Sequence, residues 1–525
     1  MQQQMDDHWK RGQQFEAARD LAAARAEYET LLALDGRHIP ARLRLSRFEQ
    51  MQGRYRRARQ HALQAADAIR GGAGTRLLSH VTLRLLEFAE DIEVATLVLS
   101  VDWEDPHVLA QSPMLAQHLW LAGRYEDALR FLDAVSSRLP PQPLLLFTRA
   151  NVLRYLGHMD EAAALYEQCL ALRPGFADAH WAVATHRRAM PPDARLQRLR
   201  EALDGHPGED TDQAQLRYAM FRELDAAGDT AGAWDALSRG ARTLHAHARH
   251  DAASETARLE ALMRENGPSL PQGAAGRSSS QPTPVFIVGL PRTGTTLLDR
   301  ILGNHGWVTS AGERNDFAAA VSEVGDRFFS NLADEPDPAT LAGLDHRAVG
   351  HLYVQRLARH ASATAVAIDK NPRNLFNLPL ILRALPQAKV LVLERDPMDS
   401  AFSNFKEPFQ GGAYGYSHDF DALAAHVAVA RRWMRHWARV APDAVRIVRY
   451  ESLVGDTEAT VAGLLEFLGL PHAPGLADIT RNDAPVATAS SAQVREPIHG
   501  RGIGAWRRYA SQLEPLRAAL ERADA

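Results

Sequence analysis

The apolar positions of this chain fall into two regimes. From residue 284 onward they gather into short runs, at 285–288, 365–368, 390–393 and 445–448, each suited to a buried strand. Between them lie helical segments, such as the one that carries Leu297, Leu298, Ile301 and Leu302 on a single face. Strands alternating with helices predict a central parallel sheet with helices on both faces. The N-terminal half is patterned instead by recurring small residues, and it reads as all-α.

The recurrence is specific. Gly53-Arg54-Tyr55-Arg56-Arg57-Ala58 returns as Gly123-Arg124-Tyr125-Glu126-Asp127-Ala128 and, loosened, as Gly157-His158-Met159-Asp160-Glu161-Ala162. Ala24 and Ala58 stand 34 residues apart, as do Ala128 and Ala162, and Tyr28 and Tyr166 each follow their alanine by four. Pro174 closes one unit, Gly228–Trp234 is a further degenerate copy, and the stretch 75–110 fits poorly. A 34-residue period with small residues at fixed places resembles the tetratricopeptide repeat, a helix–turn–helix unit. Alanine lets the two helices approach closely while keeping helix propensity, and glycine suits the turn. The alternative is a generic helical bundle. The resemblance implies a concave surface that binds a peptide or protein partner.

The pattern stops at Glu265. Residues 266–283 are rich in Gly, Ser and Pro and read as a linker, which divides the chain into a repeat array, 1–265, and a second domain, 284–525. Length alone favours two or three domains. With 46% apolar and 24% charged residues and a net charge of −4, the chain has the profile of a soluble globular protein. No global field draws it to nucleic acid or to an anionic membrane. The single cysteine, Cys169, forbids an intrachain disulfide. The first residues lack the apolar region of a secretory signal, and no run is long enough to span a bilayer, so a cytoplasmic location is expected.

The chemistry begins at residue 284. The run Pro284–Gly289 leads into Leu290-Pro291-Arg292-Thr293-Gly294-Thr295-Thr296 and then a helix, the layout of an anion cradle. The spacing Gly289-x4-Gly294 matches a P-loop, but Thr295 stands where the P-loop lysine belongs. That loss argues against a triphosphate and suits a single 5′-phosphate group, and Arg292 inside the loop is placed to serve a second anionic group nearby. A second motif runs from Val390 through Glu394-Arg395-Asp396-Pro397 to Ser403, and a third is Arg449-Tyr450-Glu451-Ser452-Leu453. A fourth is Arg501-Gly502-Ile503-Gly504-Ala505-Trp506.

Together these resemble, across about residues 284–515, the nucleotide-binding motifs of sulfotransferases, in particular the bacterial repeat-containing and the tyrosylprotein enzymes. The resemblance implies the donor 3′-phosphoadenosine 5′-phosphosulfate (PAPS), with its desulfated form PAP as product. It assigns the 5′-phosphosulfate loop to Arg292, Thr293, Gly294, Thr295, Thr296 and Leu297. It gives the 3′-phosphate to Arg395 and Ser403, a place beside the nucleotide to Tyr450, and a closing contact to Arg501. The last motif is imperfect, and Arg495, Arg501 and Arg507 all stay open as the source of that charge.

Sulfuryl transfer is an in-line displacement that needs positioning and stabilisation of spreading negative charge, without a demand for metal. The resemblance implies Glu313 as the base for the acceptor hydroxyl, ahead of the less well-placed Asp316. It makes Lys370, at the end of a short strand, the stabilising cation, and Arg292 shares that work. Asn315 stands where the tyrosylprotein enzymes carry an arginine, so an acidic tyrosine peptide does not follow as the acceptor. Peptide, protein, carbohydrate and small-molecule acceptors all remain open. No histidine or cysteine grouping has metal-ligand spacing. The rival readings are a catalytically inactive repeat scaffold that only binds the nucleotide, and an ATP- or GTP-dependent kinase, which the missing lysine disfavours.

Overall fold

The computed structural model describes residues 1–186, 192–265, 282–341, 343–361, 364–488, 491 and 493–524. Of the linker expected at 266–283, residues 266–281 lie outside the described residues. The chain forms two compact units. One comprises Met1–Leu156, Ala318–Ser330 and Leu341–Asp345, and the other comprises Gly157–Phe317, Asn331–Thr340 and His346–Ala525.

The first unit is a tetratricopeptide-like stack of helices running from Gln2–Ala17 to Pro143–Leu156. The repeated alanines Ala24, Ala58 and Ala128 are fully buried, as close helix crossing requires. Helices are joined by turns in which one residue takes a left-handed backbone: Arg19, Gly53, Ala89 and Gly123, with φ between 54° and 77°. Ala89 explains why the stretch 75–110 is hard to read. It joins helix Leu78–Leu86 to helix Asp91–Ser100 at the place where neighbouring units carry glycine. The degenerate stretch is therefore a repeat with its punctuation mark missing.

The same unit takes in a segment from far along the chain. Phe328 meets Tyr55 edge-on at 5.2 Å and lies 6.0 Å from Phe88, while the Arg56 backbone N–H donates to Asp326 at 2.8 Å. Part of the stretch that follows Glu313 thus completes the core of the repeat helices.

The second unit holds helices Met159–Leu172 to Ala252–Glu265 together with a five-stranded sheet: β1 (Thr283–Gly289), β2 (Val308–Ser310), β3 (Val366–Asp369), β4 (Lys389–Glu394) and β5 (Val445–Arg449). The strand order is β2-β3-β1-β4-β5, and every pairing is parallel. Four strands are legible in the sequence; β2 is not, because three residues of which only Val308 is buried make no apolar run. The central strand β1 is buried along nearly its whole length, and Val285, Ile287, Leu391 and Leu393 pack with Leu298, Ile301 and Leu302 of the following helix. The chain crosses from β3 to β4 over β1, so the sheet has its switch point at the C-terminal end of β1, where open α/β sheets place ligands. Among the described residues, no helix is long and apolar enough to cross a membrane.

Candidate active site

The loop after β1 is built on two left-handed residues. Arg292 has φ 67° and Gly294 φ 103°. At Gly294 no other residue serves, since a Cβ there would lie 2.6 Å from Cδ2 of Tyr450. The Thr293 hydroxyl donates to the Leu290 carbonyl at 2.7 Å and fixes the bend. Helix Thr295–Gly303 then starts with no side chain capping its N-terminus. Its first N–H groups and the positive end of its dipole are left for an anion.

A cavity of about 270 Å³ opens over this loop, lined by Arg292, Gly294, Thr295, Thr296 and Leu297 together with Glu313, Arg395 and Tyr450. Ile479, Thr488, Val494 and His499 supply another wall. Sequence reasoning missed this wall, as well as Phe409 and Tyr414, which stack on each other at 4.6 Å. These residues fall in no motif.

Arg395, Lys370 and Tyr450 each follow directly on a strand's C-terminal end. Arg395 follows β4 and binds three ways. Its Nη1 donates to the Arg292 carbonyl at 2.9 Å, its Nη2 to the Gly502 carbonyl, and its guanidinium lies 4.7 Å from the Tyr450 ring centre. Its Nε has no hydrogen-bond partner among the described residues. Tyr450 begins the helix after β5; burial pushes its hydroxyl up while Arg395 and Arg292 pull it down. Ser403 is buried on helix Pro397–Phe405 and does not line the cavity. One residue on, Asn404 Nδ2 donates to the Pro291 carbonyl at 2.9 Å and secures the loop from behind.

Lys370 follows β3, and its backbone N–H donates to the Gly312 carbonyl at 3.0 Å. Its ammonium is buried and pairs with the carboxylate of Glu313, which lies beyond β2 and lines the cavity. Asp369 beside it is fully buried, accepts from the Tyr353 hydroxyl at 3.0 Å, and is raised well above the usual carboxylate range by burial and by Asp316. Asp316 itself faces Arg356 and His360, at 3.5 and 3.6 Å.

The Arg292 guanidinium meets two side chains far along the chain. Its Nη2 donates to Gln493 at 3.2 Å and its Nε stands 3.6 Å from Glu407 Oε1. Burial pushes this guanidinium down, Glu407 pulls it up, and Arg222 and Arg395 push it down further.

None of the three candidate C-terminal arginines lines the cavity. Arg501 is exposed and pairs with Glu496, Arg507 lies over the Trp506 ring at 5.2 Å, and Arg495 reaches the turn at Gly157. What this segment brings to Arg395 is the Gly502 carbonyl.

Both parts of the chain have counterparts among known proteins. Residues 284–474 match the model of the sulfotransferase family, and residues 143–176 match that of the tetratricopeptide repeat. An uncharacterised protein of Aquifex aeolicus (strain VF5) is 26% identical over 402 residues, which are 75% of this chain and 52% of that protein. The chain thus spans about half the length of that relative. A Caenorhabditis briggsae protein described as "Putative protein-tyrosine sulfotransferase" is 23% identical over 235 residues, 42% of this chain and 80% of that protein. Among solved structures, the sulfotransferase domain of the Synechococcus PCC 7002 olefin synthase is 20% identical and covers 43% of this chain and 88% of its own, with a TM-score of 0.31.

Proposed function

We propose that residues 284–525 form a sulfotransferase domain that moves a sulfuryl group from PAPS to an acceptor hydroxyl. One observation carries the reading: a lysine-free phosphate loop, Arg395 and the Lys370–Glu313 pair all meet at the C-terminal edge of one parallel sheet. The match of residues 284–474 to the sulfotransferase family supports it.

The residues fit such a donor. An uncapped helix N-terminus behind Gly294 suits a 5′-phosphosulfate, and the unpartnered Nε of Arg395 leaves a donor for a second phosphate. When bound, PAPS supplies an activated sulfuryl group on a good leaving phosphate. The work of the chain is then positional and electrostatic. The loop N–H groups of Thr293 to Leu297 grip the phosphosulfate end. Arg395, with Ser403 on the helix behind it, takes the 3′-phosphate, Tyr450 packs beside the nucleotide, and the segment that carries Arg501 closes on Arg395 through the Gly502 carbonyl. Lys370 and Arg292 stabilise negative charge on the transferring group and leaving oxygen, and Glu313 accepts the acceptor's hydroxyl proton. No metal is needed. The repeats, 1–265, present or recruit the acceptor.

The test is transfer of radiolabelled sulfate from PAPS to a panel of peptides, oligosaccharides and phenols, with Glu313→Gln beside the wild type. Labelled product that depends on Glu313 supports the reading. Tight PAP binding with no transfer to any acceptor and no PAPS hydrolysis would favour the binding-only scaffold.

A further inference from the structure

The cavity over the phosphate loop has a neighbour. A second, smaller cavity of about 50 Å³ lies against it, and Pro291, Pro372 and Tyr414 line both. The two spaces thus meet beside the start of the loop and two residues past Lys370. Tyr414 stands in the field of each. Burial pushes its hydroxyl up, Glu313 of the first cavity pushes it further, and Arg373 of the second pulls it down.

Flat rings wall the smaller cavity. Tyr416 lies on His426 with ring centres 3.6 Å and planes 13° apart, and Phe376 meets the same imidazole edge-on at 5.7 Å. Tyr414 is backed by Phe409. Glu255, on helix Ala252–Glu265, holds His426 Nδ1 at 2.9 Å and stands 3.4 Å from His250 Nε2. The ring stack is therefore clamped from the part of the chain that the sequence reads as repeats.

Size, shape and charge narrow the guest. A water needs about 10–15 Å³ of such space, so this cavity takes a few waters or one small ring in their place, and no sugar chain. Aromatic walls favour a flat guest that stacks or meets them edge-on. The polar groups of the wall answer one another: Glu255 faces two imidazoles, while Asp334 stands 3.4 Å from Arg373 and accepts from Asn331 at 2.6 Å. An uncharged guest suits walls whose charges are already matched.

We propose that this cavity is the acceptor subsite, and that it takes the ring of a phenol whose hydroxyl reaches past Tyr414 and Pro372 to Glu313. The proposal rests on the sulfotransferase reading for the role of Glu313. In the step so arranged, Glu313 takes the phenolic proton and the phenol oxygen bonds to the donor sulfur. The bond from that sulfur to the phosphate oxygen breaks, which leaves an aryl sulfate and PAP. A phenol ionises at about 10, far below water at about 15.7, so its proton is within easier reach of a carboxylate.

The experiment titrates the full chain, with and without PAP, by calorimetry with p-cresol, methylcyclohexanol, methyl glucoside and a capped tyrosine tripeptide. It uses wild type, Ala413→Leu, which fills the cavity from its half-buried wall, and Phe376→Leu, each checked by thermal unfolding. Saturable p-cresol binding is expected, with methylcyclohexanol about tenfold weaker or more. Ala413→Leu should weaken p-cresol about tenfold or more and Phe376→Leu about three- to tenfold, with PAP affinity within about threefold of wild type. Unchanged p-cresol affinity in a folded Ala413→Leu overturns the site; should that variant not fold, unchanged affinity in Phe376→Leu does so. A glucoside or methylcyclohexanol that binds as well as p-cresol overturns the substrate class. The tripeptide separates two sources of the ring: binding as tight as p-cresol assigns a tyrosyl side chain, and weaker binding a small phenol. Transfer of labelled sulfate separates the proposal from the reading beneath it. Transfer to the glucoside alone overturns the proposal and keeps the reading. Cavity-dependent p-cresol binding with no transfer to any acceptor overturns the sulfotransferase reading and leaves the ring site standing.

Discussion

The ammonium of Lys370, buried at the end of β3, donates to the carboxylate of Glu313 beyond β2, 57 residues earlier in the chain. The parallel register that sets Ser310 beside Ile368 brings the two strand ends together, and the Lys370 N–H bonded to Gly312 O extends that pairing to the pair itself. The base and the cation of the proposed reaction are thus one preassembled couple rather than two independent groups.

Groups that act as a unit do not contribute additively. Lys370→Ala is expected to lower kcat about a hundredfold or more. Glu313→Gln should cost roughly 10²- to 10⁴-fold. The double variant should lose little beyond the worse single, with PAP affinity nearly unchanged in all three. Steady-state kinetics beside PAP titration checks this; multiplicative losses would mean that the pair is not coupled.

Gly294 has room for no side chain. Gly294→Ala forces a Cβ against Tyr450 in a left-handed backbone, at a cost of about 1–3 kcal/mol. The expected result is a lower urea midpoint and lost PAP binding. Unchanged binding would show that the loop does not cradle the phosphate.

Ala89 is the mirror case, an alanine at φ 54° where the turns at Gly53 and Gly123 carry glycine. A left-handed non-glycine residue costs roughly 1–2 kcal/mol, partly offset by the entropy that glycine gains when unfolded. Ala89→Gly should therefore raise stability by about 1 kcal/mol, and Gly123→Ala should lower it by a similar amount. Urea unfolding of both variants decides; destabilisation by Ala89→Gly would refute the turn assignment.

Glu255 gives a pH signature. It lies in helix Ala252–Glu265, 2.9 Å from His426 Nδ1 and 3.4 Å from His250 Nε2. Burial pushes its carboxyl up, but the two imidazoles outweigh it and hold the group down at about 2. A carboxylate lowered on folding stabilises the protein above its ordinary 4.5 and loses that contribution as pH falls toward 2. The stability difference between wild type and Glu255→Gln should then shrink by about 3 kcal/mol between pH 5 and pH 2. A difference that stays constant over that window would contradict the pairing.

How much of this was legible beforehand follows from sequence distance. The loop at 289–297 declares itself because its glycines, strand and helix are contiguous, and four strands show as apolar runs. Glu407 and Gln493 carry no local signal, since their importance comes from reaching Arg292 across 115 and 201 residues. Ala89 hides a repeat because an alanine sits where glycine is the readable mark. The packing of Phe328 against Tyr55 joins residues more than 270 apart, and no periodicity encodes it. Arg501 was singled out by motif, yet the segment meets Arg395 through the Gly502 carbonyl, a backbone contact that residue identity does not announce.

The most direct test of the central claim is calorimetric titration of the full chain with PAP, with ATP as control, in wild type and in Arg395→Ala. Strong PAP binding, at least tenfold weaker ATP binding, and a loss of roughly ten- to hundredfold on removing the Arg395 charge are expected. No PAP binding, or ATP bound as tightly as PAP, would contradict a PAPS-dependent site.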